Sequence, residues 1–260
     1  MIAPDKEAVY SDRLPPTIRP TRRRTVHHVL KAARSARAPV AYPLAELRAA
    51  RDRGEVYPKT DTHWDRFGAW VAYRFACERL VASGLSIPIL SEDRIRWSTA
   101  TIPGSLGRRV APPLAGTVTR AELTGHSSRL VFDNRVQYHG RVLIFDSGAL
   151  DGLSCVLFGE SMANNLLLYL KESFRRLVFV HTSLNLREVI EAERPDVVLS
   201  VPLERFLIRV PRDRDGVAVL RETVERKVRN GRIRDPDEGF LRGIPRAPGA
   251  GEHEVGTLPW

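Results

Sequence analysis

One stretch limits the fold more than any other: LSCVLFGESMANNLLLYLKESFRRL, from Leu153 to Leu177. Leu153 to Phe158 is a short apolar run of strand type, followed by a tight Gly159-Glu160-Ser161 turn. From Met162 onward, apolar residues recur at Leu166, Leu167, Leu170, Phe174 and Leu177, which is helical spacing. Gly159 lets the backbone turn without a Cβ clash. A serine on such a strand-to-helix turn holds its hydroxyl clear of the backbone, with helix-start N–H groups at hand to stabilise an oxyanion. Serine is also a common helix N-cap. Alone, the turn admits both readings, and a nucleophile needs a base elsewhere in the chain.

A second stretch, YPKTDTHWDRFGAWVAYRFACERLVASG, supplies a candidate. From Asp65 the pattern is helical through Trp70, Tyr73, Cys77 and Leu80, and Gly84 ends it. Asp61 and His63 therefore sit in the loop before a helix, two apart, where extended backbone points both side chains the same way. A carboxylate so placed holds an imidazole in one tautomer and stabilises its protonated form. The competing reading makes Asp61 a turn or capping residue and His63 a satisfied polar group.

The remaining chain predicts an α/β protein. A strand begins at Met1 to Ala3, a helix spans Thr25 to Ala36, and Pro39 to Tyr42 reads as a brief strand. Pro43 opens a helix that Gly54 closes. Between Leu85 and Gly140 the pattern is less regular. A loop surrounds Arg108 and Arg109, and short strands are expected at Gly116–Leu123, Arg129–Asp133 and Val136–His139, with turns at Asp133-Asn134 and His139-Gly140. Val142–Phe145 is a further strand. After the serine helix the order is strand Val178–His181, helix Leu186–Arg194, strand Asp196–Val201 and helix Leu203–Val210, which implies a parallel sheet with right-handed crossovers. A last helix runs from Val217 to Arg229, so residues 1–230 form the domain and 231–260 an irregular tail.

Composition narrows the function. The 260 residues contain no apolar run of eighteen or more, so no transmembrane helix is expected. The first ten residues lack a basic-then-apolar signal pattern. Cys77 and Cys155 fall in apolar segments and read as buried free thiols. His27 and His28 are adjacent on a helix, which is poor metal geometry, and no metal or cofactor is expected. The net charge of +10 comes mostly from arginine and suits an anionic polymer or lipid. Without interleaved aromatics it does not indicate nucleic-acid binding.

Several blocks carry a family resemblance: PDK-x-x-VY at Pro4–Tyr10, VYPKTDTHWDRFGA at Val56–Ala69, the serine block with its helix, and ERPDVVLSVPLERFL. Together they resemble the alginate O-acetyltransferase family, the SGNH-hydrolase-like AlgJ and AlgX type, over residues 1 to about 210. The resemblance implies an SGNH-hydrolase-like parallel sheet flanked by helices, with a less regular strand-containing insertion in the middle. It implies Ser161 as nucleophile, His63 as base and Asp61 as its orienting carboxylate. The Ser161 backbone N–H is then the expected oxyanion donor; the side-chain amides of Asn164 and Asn165 are candidate oxyanion or substrate contacts, and capping on the helix surface accounts for them equally well. Arg74, Glu204 and Arg205 lie in or beside matching blocks as structural residues. The implied partners are a glycan acceptor, an acidic one suiting the basic surface, and an acetyl donor such as a membrane acetyl-transfer partner, in the periplasm or cell envelope. An acetylesterase with the same triad and a non-catalytic glycan-binding or scaffold member are the alternatives. Two departures stand out. Glu160 replaces the usual Asp before the serine, and the export signal or anchor usual in the family is not visible, which leaves an earlier start or an intracellular branch open.

Overall fold

A computed structural model of the chain describes residues 1–233 apart from 20, 22, 149–150, 210–212, 214–215 and 232. The expected tail over 231–260 lies almost wholly outside the described residues. Helices are α1 (Lys6–Val9), α2 (Thr25–Ser35), α3 (Leu44–Ala50), α4 (Arg66–Ala82), α5 (Ser161–Leu170), α6 (Arg187–Glu193) and α7 (Gly216–Arg229). Strands are β1 (Ile95–Pro103), β2 (Ala115–Leu123), β3 (Arg129–Asp133), β4 (Val142–Asp146), β5 (Ser154–Gly159), β6 (Arg176–His181) and β7 (Val197–Val201).

The main sheet has the order β3-β4-β6-β5-β7. Its β6-β5-β7 portion is parallel, in the β-α-β-α-β order expected. β4 runs antiparallel to β6, and β3 antiparallel to β4, so the middle segment extends the sheet as a hairpin rather than standing apart from it. β5 is buried along its whole length because it is flanked by strands on both edges and helices on both faces. One face of the sheet packs on α4 and α5 through residues such as Leu157, Phe179, Trp70 and Tyr169. The other packs on α6 and α7 through Phe158, Val178, Val189 and Leu220. β1 and β2 form a separate antiparallel hairpin with continuous pairing from Ile95↔Leu123 to Pro103↔Ala115.

The structure corrects several local expectations. The serine helix stops at Leu170; Phe174 lies in the following loop and Leu177 already belongs to β6, so the apparent helical period there joins two elements. Pro39–Tyr42 and Val136–His139 are not strands, although the Ala41 carbonyl accepts from the Ile2 N–H. In place of the helix expected over Leu203–Val210, the described residues 203–209 hold a single 3-10 turn, Glu204–Phe206, and Val210 lies outside the described residues. Met1–Ala3 contributes one parallel bridge, Ala3 to Leu203. Residues 95–103 form a full strand that the sequence pattern did not announce.

Candidate active site

The serine turn is built by close approach. β5 delivers Gly159 to the carboxyl end of the parallel strands, and a Cβ there would lie 2.6 Å from the Ala163 Cβ and 3.3 Å from the Val201 carbonyl. Only glycine fits. Glu160 then occupies the N-cap position in extended conformation and Ser161 is the first residue of α5. The serine is therefore not the cap residue of α5.

The base arrives on the loop before α4. Asp65 caps α4 by accepting from the Phe67 and Gly68 N–H groups at 2.9 and 3.0 Å, and its other oxygen accepts from the Thr119 N–H at 2.9 Å. One residue earlier, Trp64 is buried and donates from Nε1 to the Met162 carbonyl at 3.0 Å, pinning the loop to the start of α5. Asn165 returns the contact, donating from Nδ2 to the Trp64 carbonyl at 2.8 Å. Between these anchors, His63 places Nε2 2.8 Å from Ser161 Oγ and Nδ1 2.7 Å from Asp61 Oδ1. Asp61 therefore sits at the end of a continuous chain Asp61–His63–Ser161.

Asp61 is held in turn by His63 and by Ser105, of which only His63 stands out in the sequence. Its Oδ1 accepts from the His63 N–H and from Ser105 Oγ, both at 2.9 Å, and its Oδ2 accepts from the Ser105 N–H at 2.8 Å. Partial burial works to raise its carboxyl, but the hydrogen bonds from His63 and Ser105 outweigh it and hold it well below the usual carboxylate range. Ser105 reaches this position because the hairpin leans on Thr60: Cβ atoms at Gly104 and Gly116 would lie 2.3 Å from its carbonyl oxygen and 2.8 Å from its Oγ1, respectively. Lys6 clamps the loop from another side, donating to the Pro58, Lys59 and Asp61 carbonyls at 2.6, 2.9 and 3.0 Å. Arg205 pairs with Asp5 at 2.7 Å and reaches the Thr62 carbonyl at 3.4 Å. Ser105 and Lys6 carry no local sequence signal, since their partners are 44 and 55 residues away.

The other expected positions sort themselves by location. A cleft of about 360 Å³ opens beside Ser161 and His63, walled by α4, α5 and the hairpin, with Arg66, Arg120 and Asn165 among its lining residues. Asn164 does not line it. Arg74 pairs with Glu78 at 2.8 Å on the surface of α4. Glu204 is buried and accepts from Arg24 and Tyr42. Glu160 Oε2 is buried without a hydrogen-bond partner among the described residues, and burial raises the carboxyl from its ordinary value against the pull of the Arg205 charge. Cys77 and Cys155 are buried free thiols whose burial pushes them up, to about 12 for Cys77. Among the described residues no cluster of His, Cys, Asp and Glu could hold a metal ion.

A doubly covered sheet that presents a serine after β5, the middle strand of its parallel portion, with an Asp-x-His loop facing it, defines the SGNH-hydrolase-like class. Within that class, residues 1–181 match the family described as SGNH hydrolase-like domain, acetyltransferase AlgX, and the chain belongs to this family. Comparison with curated proteins gives no match. Solved structures share the fold. The O-acetyltransferase domain of Pseudomonas putida AlgJ is 18% identical, covering 88% of this chain and 82% of its own, with a TM-score of 0.57. Bacillus cereus PatB1 is 14% identical over 79% and 82%, with a TM-score of 0.61. A DHHW family protein from Eubacterium siraeum is 15% identical over 81% and 78%, with a TM-score of 0.60.

Proposed function

We propose that the chain is a serine-dependent O-acetyltransferase that moves an acetyl group from a donor to a hydroxyl of a glycan. The observation that carries this reading is the hydrogen-bonded chain from Asp61 through His63 to Ser161 Oγ, with links of 2.7 and 2.8 Å, opening on a cleft. Ser161 Oγ attacks the acetyl carbonyl carbon while His63 Nε2 takes its proton, and Asp61 stabilises the imidazolium. The carbonyl π electrons move onto the oxygen, which the Ser161 N–H at the start of α5 stabilises. Collapse breaks the bond to the donor's leaving group, which takes the proton from His63. A sugar hydroxyl then attacks the acetyl-serine, gives its proton to His63, and the proton returns to Ser161 Oγ as the product ester leaves. Asn165 already spends an amide hydrogen on the Trp64 carbonyl, so it serves the wall of the cleft more than the oxyanion. Arg66 and Arg120 beside the cleft support an acidic acceptor. The donor side is a membrane acetyl-transfer partner or another activated acetyl carrier.

Intact mass after brief exposure to an activated acetyl ester tests the reading. A one-acetyl adduct is expected on the wild type, absent in Ser161→Ala and formed far more slowly in His63→Ala. Discharge that depends on added sugar marks a transferase; discharge to water at the same rate marks an esterase. A folded wild type that forms no adduct and turns nothing over would leave a glycan-binding role. PatB1 has also been solved with a sulfonyl adduct, so a sulfonyl reagent is a second probe for Ser161.

A further inference from the structure

From Ile95 to Ala121 the chain has no Asp or Glu, while Arg96, Arg108, Arg109 and Arg120 all fall within it. The turn of the hairpin is also where apolar side chains face solvent: Leu106 is 41%, Val110 51% and Leu114 60% exposed. This segment is held in place rather than loose. The Leu106 and Gly107 N–H groups donate to the Thr60 carbonyl, and the Leu114 N–H donates to the Gly107 carbonyl. Arg108 donates to the Pro103 carbonyl, and neither Arg108 nor Arg109 meets a carboxylate among the described residues. A second segment repeats the chemistry. Phe206 is 47% and Ile208 74% exposed, next to Arg209 and with no acidic residue between Arg205 and Arg209.

Both segments are tied to the same short loop. Ser105 bonds Asp61, and Arg205 reaches the Thr62 carbonyl. Exposed aliphatic and aromatic tips interleaved with Arg108, Arg109 and Arg209, which meet no carboxylate among the described residues, match the chemistry of an anionic lipid interface, whereas Arg96 and Arg205 are paired with Glu122 and Asp5. Apolar tips enter the headgroup boundary while guanidinium groups meet phosphates. A soluble glycan would not reward exposed Leu, Val and Ile, and an acidic protein surface would not require them to stand out singly around a turn. We infer that the hairpin turn, assisted by the Phe206–Arg209 segment, docks the protein on an anionic membrane with the Ser161 cleft beside the lipid surface. The inference does not rest on acetyl chemistry, so its test reads binding alone.

The full chain is mixed with sucrose-loaded vesicles of phosphatidylcholine, with or without phosphatidylglycerol, and sedimented across a salt series. Expected is co-sedimentation with the anionic vesicles that weakens with salt, and little with phosphatidylcholine alone. Removing each arginine in Arg108→Gln and Arg109→Gln lowers the partition coefficient roughly fivefold, and Leu106→Ser with Leu114→Ser lowers it further while the circular dichroism stays as in the wild type. A variant that fails to fold leaves the salt series and lipid comparison on the wild type as the deciding measurement. Wild type left in the supernatant, equal binding to neutral vesicles, or variants that bind as well as wild type would each overturn the inference. So would retention on a polyglutamate resin with no vesicle binding, which assigns the surface to an acidic protein.

Discussion

Asp61 shows how a single carboxylate is fixed for one task. It accepts from both His63 nitrogens nearest to it and twice from Ser105, and those bonds prevail over its partial burial. Asp61→Asn should keep the fold but present the wrong imidazole tautomer, and acetylation of Ser161 should slow by on the order of 10⁴-fold, read by the rate of adduct formation. Because its folded-state carboxyl lies below the ordinary 3.8, its contribution to stability is complete above that value and is lost as pH falls through the depressed one. His181, at the end of β6, titrates in a different window. Burial, then the neighbouring His139, Lys227 and Arg141, lower it from 6.5 to about 4, and its Nδ1 is buried without a hydrogen-bond partner among the described residues. A base depressed on folding gives stability that is full above its unfolded value of 6.5 and is lost as pH falls toward 4. Urea denaturation at pH 7 and pH 4.5 should show the wild type losing up to about 3 kcal/mol from this group, and His181→Gln losing less. Equal losses in the two proteins would exclude His181 as the source.

At the scale of elements, two joints carry the site. Gly159→Ala drives a methyl against the Ala163 Cβ, and a cost of about 1–3 kcal/mol is expected, with the adduct rate falling because α5 must shift under Ser161. Asp65→Ala removes the cap of α4 and also the acceptor of the Thr119 N–H, so it should cost more than an ordinary cap, about 2 kcal/mol or above; chemical denaturation measures both. These joints also explain what the sequence made legible. β5 and β6 stand out because buried strands are written as continuous apolar runs, and the Asp-x-His loop stands out because a capped helix follows it. β1 belongs to a two-stranded hairpin whose residues are mostly exposed or part-exposed, and the apolar alternation of Ile95 and Trp97 stops at Thr99, too short a run to announce a nine-residue strand. The helix expected after β7 failed for the opposite reason. Leu203 is buried, but Phe206 and Ile208 face outward, so their spacing reflects no packed helical face. The serine, the histidine and the aspartate were readable as candidates; the residues that hold the aspartate were not, because each comes from a distant part of the chain.

For the molecule as a whole, the Asp61–His63 loop is a meeting point of segments far apart in sequence: Lys6 before it, the hairpin and α5 after it, and Arg205 beyond the main sheet. Lys6→Met keeps the aliphatic stem but strands three carbonyls. A stability loss of about 1–3 kcal/mol is expected, together with a drop of up to about 100-fold in acetylation rate from displaced His63, while binding of the activated ester holds steady. This convergence also sets a timetable. His63 and Ser161 are 98 residues apart, and Thr62 waits 143 residues for Arg205. Contacts of such separation form late because the loop they close must first be paid in entropy. During refolding, backbone ellipticity should recover before Ser161 becomes reactive. On the ribosome, the Asp61–His63 loop waits until Arg205 has emerged before its contact at Thr62 can close, so this junction is among the later parts of the fold to be completed.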